Sequence, residues 1–422
     1  MATLSSIITP TNITTASNTQ TLTNKTITGG IYNGTVGATT AAAGSFTTVS
    51  ATGASTFTNS APSVIGGLSF RNRIINGDMR IDQRNEGASV TVNNNTRFYS
   101  VDRFAGFGVP TDGVFTLQRS TTSTGEFVNS LVATVTTIDA SIGANDNYLI
   151  QQLIEGLNVA DLRFGSASAK TITVSFWVRS SVTGTFSGSL RNSDASRSYP
   201  FTYSISLANT FEKKTVTIAG DTSGTWLTTS GIGLNLTFSL GTGSSRLGTA
   251  GAWASAIYAG ATGETALIST LSATLYLTGV QLEVGNAATE FERREYGSEL
   301  IMCQRYFEKS ASESRAILAV NESSALIITA ATSIANGAYY ARIPFAVTKR
   351  TVPTVVCYPY STPTNTGRLS NDTGGDYGAG SATSGAAQAF ATSFSIYNNS
   401  GGTLTVGSQQ LILGGWYASA EL

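Results

Sequence analysis

The stretch 171–178 reads Thr-Ile-Thr-Val-Ser-Phe-Trp-Val, apolar at every second position from Ile172 to Val178. Period two is the spacing of a strand with one face buried, whereas a helix needs apolar residues three and four apart. The stretch 231–240 repeats the pattern, with Ile232, Leu234, Leu236, Phe238 and Leu240 on one face. Comparable runs lie at 88–92, 113–118, 130–136, 148–155, 184–190, 199–207, 213–219 and 273–284, each bounded by turn-forming residues. Many short strands without long helical patterns must bury their apolar faces against one another, which predicts an antiparallel β-sandwich. Trp177, inside such a strand, is expected in the core.

The stretch 275–309 marks where the sandwich closes and a new unit begins. Leu275 and Leu277 share a face with Val280, Leu282 and Val284 only if the alternation slips by one at Thr278-Gly279, the mark of a β-bulge. Gly285-Asn286 ends the strand. Residues 290–295 then carry five charges around Phe291, in a chain only 12% charged. They read as a solvated run in which Glu290, Glu292 and Glu295 pair with Arg293 and Arg294, and not as a catalytic carboxylate pair. Ser298 is placed to cap a short helix with Leu300, Cys303 and Phe307 on one face.

Composition divides the chain. Residues 1–70 hold a single charged side chain, Lys25, and few apolar ones, too few to offset their own ordering entropy. They are expected either to be a flexible tail or to order by winding with identical copies or by docking on a partner; the second reading predicts a homotrimer. Charges become dense from Arg71 to Glu86. The expected division is 1–70 as a fibrous or extended segment, 71–292 as a β-sandwich, 293–309 as a charged connector with a short linker helix, and 310–422 as a C-terminal β-sandwich tip. Strands of the tip are expected near 316–320, 325–331, 340–347, 352–358, 391–397, 404–406 and 410–418.

Charge and residue types exclude several classes. Lys+Arg and Asp+Glu are 25 each, so no basic excess suits nucleic acid or an anionic membrane. No apolar run reaches the ~18 residues of a membrane span, and the first residues lack the basic start of a secretory signal. The chain has no histidine, which removes histidine-based nucleophile systems and histidine-ligated zinc. The two cysteines, Cys303 and Cys357, read as buried thiols. No cofactor or metal is expected.

Three motifs carry a family resemblance. Gly279-Val280-Gln281-Leu282-Glu283-Val284-Gly285, with Phe291, Glu292, Arg294, Tyr296 and Cys303-Gln304-Arg305-Tyr306 after it, resembles a junction in bacteriophage tail-fibre proteins. The run 72–84, Asn-Arg-Ile-Ile-Asn-Gly-Asp-Met-Arg-Ile-Asp-Gln-Arg, with Val101-Asp102-Arg103-Phe104, resembles the opening of the same domain, and 37–48 resembles a tract near fibre N-termini. The Asn76-Gly77-Asp78 opening, the central strands and 220–226 are similar to carbohydrate-binding jelly-roll modules. Such modules often hold a structural calcium, but Thr278-Gly279 stands where the last strand would supply an Asp, and calcium needs about 6–8 oxygen ligands. The resemblance implies a jelly-roll body in a virion tail-fibre protein, assembled in the host cytoplasm. It also implies attachment to a tail or other particle protein through residues 1–70, and a tip that meets a bacterial surface glycan.

Side-chain chemistry selects the candidate glycan-binding residues. Ring faces stack on sugars, which points to Trp226, Trp253 and Tyr258 in expected loops. The Gly- and Ser-rich stretch 360–389 offers Tyr360 and Tyr377 as ring faces, with Arg368, Asp372 and Asp376 as hydrogen-bonding groups. No catalytic residue is assigned and no enzyme is expected. The rival readings are a polysaccharide-cutting tailspike and a head-attached fibre or decoration protein.

Overall fold

Strands occupy the period-two runs. β1 is Val90–Val92, β2 Arg97–Tyr99, β3 Ala105–Val109, β4 Val114–Ser120, β5 Ser130–Thr137, β6 Asn147–Glu155 and β7 Ile172–Ser180. β8 is Gly184–Arg191, β9 Ser198–Ile205, β10 Glu212–Ile218, β11 Ile232–Thr242, β12 Leu247–Gly248, β13 Gly260–Ala261 and β14 Thr274–Val284. The computed structural model describes residues 70–422 except 111, 313–314, 316, 319–325, 330–338, 360–367, 372–375, 379–388, 398–405 and 407–408. The extended segment expected over 1–70 therefore lies, apart from Phe70, outside the described residues.

Two antiparallel six-stranded sheets face each other, in the orders β1-β4-β5-β14-β7-β10 and β2-β3-β6-β11-β8-β9. The chain passes repeatedly from one sheet to the other, as a jelly roll does. Val174, Phe176 and Val178 of one sheet and Leu234, Leu236 and Phe238 of the other share a single core. Phe176 and Phe238 meet edge to face at 4.9 Å. Trp177 does not join them. It is half-buried on the outer face of β7, because Phe176 and Val178 hold the inner phase. β2 and β3 escape the sequence pattern. β2 has three residues, and β3 carries glycine at 106 and 108, so its inward positions show no alternation.

The bulge forms where the phase slips. The register of β14 on β7 shifts between Thr278 and Gln281. Gly279 has φ +60°, and a Cβ there would lie 2.6 Å from the Phe127 ring, so glycine is required twice over. Val280 and Leu282 rejoin Leu275 and Leu277 in the core. Val284, the last residue of the strand, is exposed instead.

The charged run is solvated only in part: Glu290, Arg293 and Glu295 are exposed, whereas Glu292 and Arg294 turn inward and pair with each other. Segment 71–84 folds against β14 and places its backbone donors beneath the run, and those donors need acceptors. Asn72 acts as a strand substitute: its Nδ2 donates to the Val280 carbonyl at 3.2 Å and its Oδ1 accepts from the Leu282 N–H at 3.0 Å. The Glu292 carboxylate accepts from the Arg71 and Asn72 N–H groups. The buried Arg294 side chain pairs with Glu292 and Glu299. Helix α1, Tyr296–Gln304, starts after Glu295, so Ser298 lies within its first turn and caps nothing. Leu300 and Cys303 pack on Ile75 and Ile81, but Phe307 belongs to the next strand.

That strand, β15 (Phe307–Lys309), opens the C-terminal sheets. The others are β16 Leu326–Thr329, β17 Tyr339–Pro344, β18 Thr354–Pro359, β19 Arg368–Asn371, β20 Asp376–Gly378, β21 Ala389–Phe390, β22 Ser393–Tyr397 and β23 Gln409–Ser419. β23 is the hub, pairing with β15, β16, β18 and β19, while β17, β22 and β21 form a second small sheet. Val355, Cys357, Phe345, Phe394 and Ala418 make their core. Residues 317 and 318 form a turn where the sequence predicts a strand. Both cysteines are free and buried, as the sequence implies.

Buried ions tie the sandwich to the helix and the C-terminal strands. Arg103, with its side chain 1% exposed, pairs with Glu421 and lies over the Tyr306 ring at 3.6 Å. Arg84 meets the same carboxylate at 2.8 Å. Glu155, fully buried at the end of β6, accepts two bonds from Arg305 at 2.6 and 2.8 Å and one from the Tyr306 hydroxyl at 2.7 Å. The described residues belong to one compact unit. Removing one member of a buried pair leaves the other charge uncompensated, at a cost of about 3–5 kcal/mol. Glu421→Gln should therefore destabilise the chain by about that amount in denaturant unfolding, whereas the exposed Glu126→Gln should change stability by less than about 0.5 kcal/mol. Equal effects would show that the terminal residues are not part of the cooperative unit.

Candidate functional site

The outer face of the second sheet carries the site. Apart from Gln152, the inward positions of β6, β8 and β11 carry no polar side chain, so alternation turns Asn147 and Gln151 (β6), Arg191 (β8) and Asn235 (β11) outward. Asn235 stands directly opposite Arg191 in the pairing of β11 with β8, which places the two side chains as cross-strand neighbours. Loop 243–266, between β11 and β14, lies over part of this face. Its Ala261 N–H donates to the Ser187 hydroxyl at 2.9 Å, and its Glu264 accepts from Ser187 and Ser239.

Beside the loop a cleft of about 210 Å³ remains open. Asn147, Gln151, Arg191 and Asn235 lie on its floor, and Arg97, Phe107, Arg246 and Ile257 contribute to its walls. The floor is deeply buried: Gln151 is 1% exposed, Asn147 6%, and Arg191 and Asn235 8% each. Yet Asn147 Oδ1, Gln151 Nε2, Asn235 Oδ1, Arg191 Nε and Arg246 Nε have no partner among the described residues. Asn235 Nδ2 donates to Gln151 Oε1 at 3.3 Å. Turning both amides over still leaves one donor and one acceptor free. Buried polar groups are ordinarily hydrogen-bonded, so each such atom calls for an explanation. Fixed amides and guanidinium groups of this kind suit sugar hydroxyls. No carboxylate lines the cleft among the described residues.

Burial sets the electrostatics. The Arg191 guanidinium is pushed down to about 10, first by desolvation and then by the like charges of Arg246 and Arg97. Under the loop, burial pushes the Glu264 carboxyl up to about 7, against the hydroxyls of Ser187 and Ser239, which favour the ionised form.

The residues selected from sequence lie elsewhere. Trp226 and Trp253 meet edge to face at 5.4 Å and both pack on Phe164. Their indole N–H groups donate to the Ser223 and Ala219 carbonyls. Tyr258 lies against Gly248, where a Cβ would come within 2.2 Å of its ring. Arg368, Asp376 and Tyr377 fall on the hairpin β19–β20, where Leu369 pairs with Tyr377 and Ser370 with Asp376. Tyr360 and Asp372 lie outside the described residues. Asn76-Gly77-Asp78 is engaged by the chain itself: Asn76 Nδ2 donates to the Ile81 and Asp102 carbonyls, and Asp78 pairs with Arg80. The cleft residues escape sequence reasoning because strand phase turns Gln151, Arg191 and Asn235 outward without saying that a loop and neighbouring strands bury them.

No protein-family model matches the chain, and no curated protein sequence matches it. Several solved structures are similar over part of its length. The enzymatically active domain of tailspike protein 4 from bacteriophage CBA120 is 13% identical with a TM-score of 0.27, over 51% of this chain and 21% of that one. A sugar binding protein from Bacteroides thetaiotaomicron is 12% identical with a TM-score of 0.29, over 50% of this chain and 99% of that one. A family 11 carbohydrate-binding module from Clostridium thermocellum is 10% identical with a TM-score of 0.25, over 48% and 98%.

The Glu264 shift has a measurable sign. Its folded value, about 7, lies above the ordinary 4.5, so the folded state holds the proton more tightly. The stability this adds is complete below about 4.5 and is lost as pH rises through about 7. Asp102, pushed up to about 6 by burial, acts in the same direction. Glu264→Gln keeps the neutral form and leaves Asp102 in place. The natural chain should lose more Tm than this variant between pH 5 and pH 8. Parallel losses would show that the carboxylate is not buried beneath the loop.

Proposed function

We propose that this chain is a non-enzymatic tail-fibre protein of a phage virion whose jelly-roll body binds a bacterial surface glycan in the cleft above Asn147, Gln151, Arg191 and Asn235. One observation carries this reading: deeply buried polar side chains from three adjacent strands, with atoms that find no partner among the described residues, line one open cavity. Gln152 and Glu155 of β6, by contrast, find partners within the chain. The absence of a carboxylate from the described cleft lining supports binding without cleavage. The segment 1–70, which lacks a core of its own in sequence, is proposed to assemble three copies and to attach them to a tail or other particle protein. A site that binds weakly in one copy then gains strength through several copies acting together.

Adsorption of the intact protein to host cells tests the site. Asn235→Ala and Gln151→Ala should each weaken adsorption by about tenfold while leaving Tm within a few degrees, since one lost bond in a desolvated site is worth about 1–2 kcal/mol. If Arg368→Ala or Tyr377→Ala removes adsorption and the cleft variants do not, recognition lies in the tip. Light scattering on the intact chain should report a trimer, and a monodisperse monomer would contradict the assembly.

A further inference from the structure

Resting on the glycan-binding reading, we infer that the cleft takes an acidic glycan, one bearing a carboxylate or a phosphate, with the anion held among Arg97, Arg191 and Arg246. The three guanidinium groups come from separate elements: β2, the end of β8, and the short turn Ser244–Arg246. All three line the cleft, and none pairs with a carboxylate among the described residues.

That absence is unusual within this molecule. Arg84, Arg103 and Arg294 are about as deeply buried as Arg191, and each meets a carboxylate. Arg197, across the hairpin turn from Arg191, forks onto Asp221 with bonds of 2.7 and 2.8 Å. The chain as a whole is balanced at 25 positive and 25 negative residues, so the cleft is a local excess and not the sample of a basic surface. A buried, unpaired cation beside two like charges costs folding free energy. Arg191 feels both neighbours, which add to burial in weakening its hold on the proton. An incoming anion relieves that cost, and the planar fork of arginine matches both carboxylate and phosphate oxygens. The amides of Asn147, Gln151 and Asn235 remain for sugar hydroxyls, and Ile257 with Phe107 offers apolar surface to ring C–H groups. Arg97 already lies over the Phe107 ring at 5.7 Å, which fixes its direction without using its donors.

An array of acidic and neutral bacterial surface glycans, probed with the full chain and with Arg97→Gln, Arg191→Gln and Asn235→Ala, tests this. The bound glycans should all carry carboxylate or phosphate, and affinity should fall by about tenfold or more in each arginine variant. Binding should also weaken as salt is raised. Arg97 is exposed and Arg191→Gln removes a repulsion, so both variants should keep their thermal transitions. Reduction of the glycan's carboxyl groups and its dephosphorylation, done separately, identify which anion is held. Neutral glycans that bind through Asn235 but not through Arg97 or Arg191 would overturn the acidic preference and leave the cleft standing. Binding that survives all three substitutions, or no glycan bound at all, would overturn the cleft as well.

Discussion

Strand β6 is buried at every one of its nine positions, and the need to satisfy its polar side chains shapes the molecule at both ends. Gln152 points to one side and exchanges two bonds of 2.9 Å with the Ile75 backbone. Glu155 takes three bonds from Arg305 and Tyr306. Asn147 and Gln151, on the same strand and just as deep, keep atoms with no partner among the described residues. Within one strand, then, polar burial is resolved by the protein at the junction and left open at the cleft. Unmade bonds of buried groups cost about 1–3 kcal/mol each, which is why the open end reads as a place for something else.

The junction makes that openness usable. Arg305 and Tyr306 hold the end of β6, and Arg103 with Arg84 holds Glu421 from the last residues of the chain. Buried ion pairs add little net stability compared with apolar packing, but they penalise any arrangement that separates the partners. Here they fix the helix, the last strand and the opening segment to the sandwich in one register. A site built on strands anchored in this way holds its side chains in place before a ligand arrives, which lowers the ordering cost of binding.

Much of the sandwich is legible in sequence because its strands are alternating and long. The runs at 171–178 and 231–240 are β7 and β11, and the phase slip at Gly279 is the bulge. β2 and β3 are not legible, since three residues show no period and glycines at 106 and 108 hide the inward phase. The charged run 290–295 is legible only in part, for a different reason. Charge density suggests solvent, and only the fold reveals that segment 71–84, more than two hundred residues earlier, supplies the N–H groups that Glu292 accepts. Trp226, Trp253 and Tyr258 attract notice for their ring faces, and the fold leaves them half-buried, the two indoles in edge-to-face contact with Phe164, and Tyr258 against Gly248. The cleft needs three strands, a turn and a loop to meet, and no stretch of sequence contains that meeting.

The most direct measurement is a crystal structure of the chain soaked with oligosaccharide from the host surface. The account predicts sugar density over β6, β8 and β11, with hydroxyls bonded to the side-chain amides of Asn147, Gln151 and Asn235. Density confined to the tip hairpin or to the Trp226–Trp253 pair, with the cleft holding only water, would contradict it.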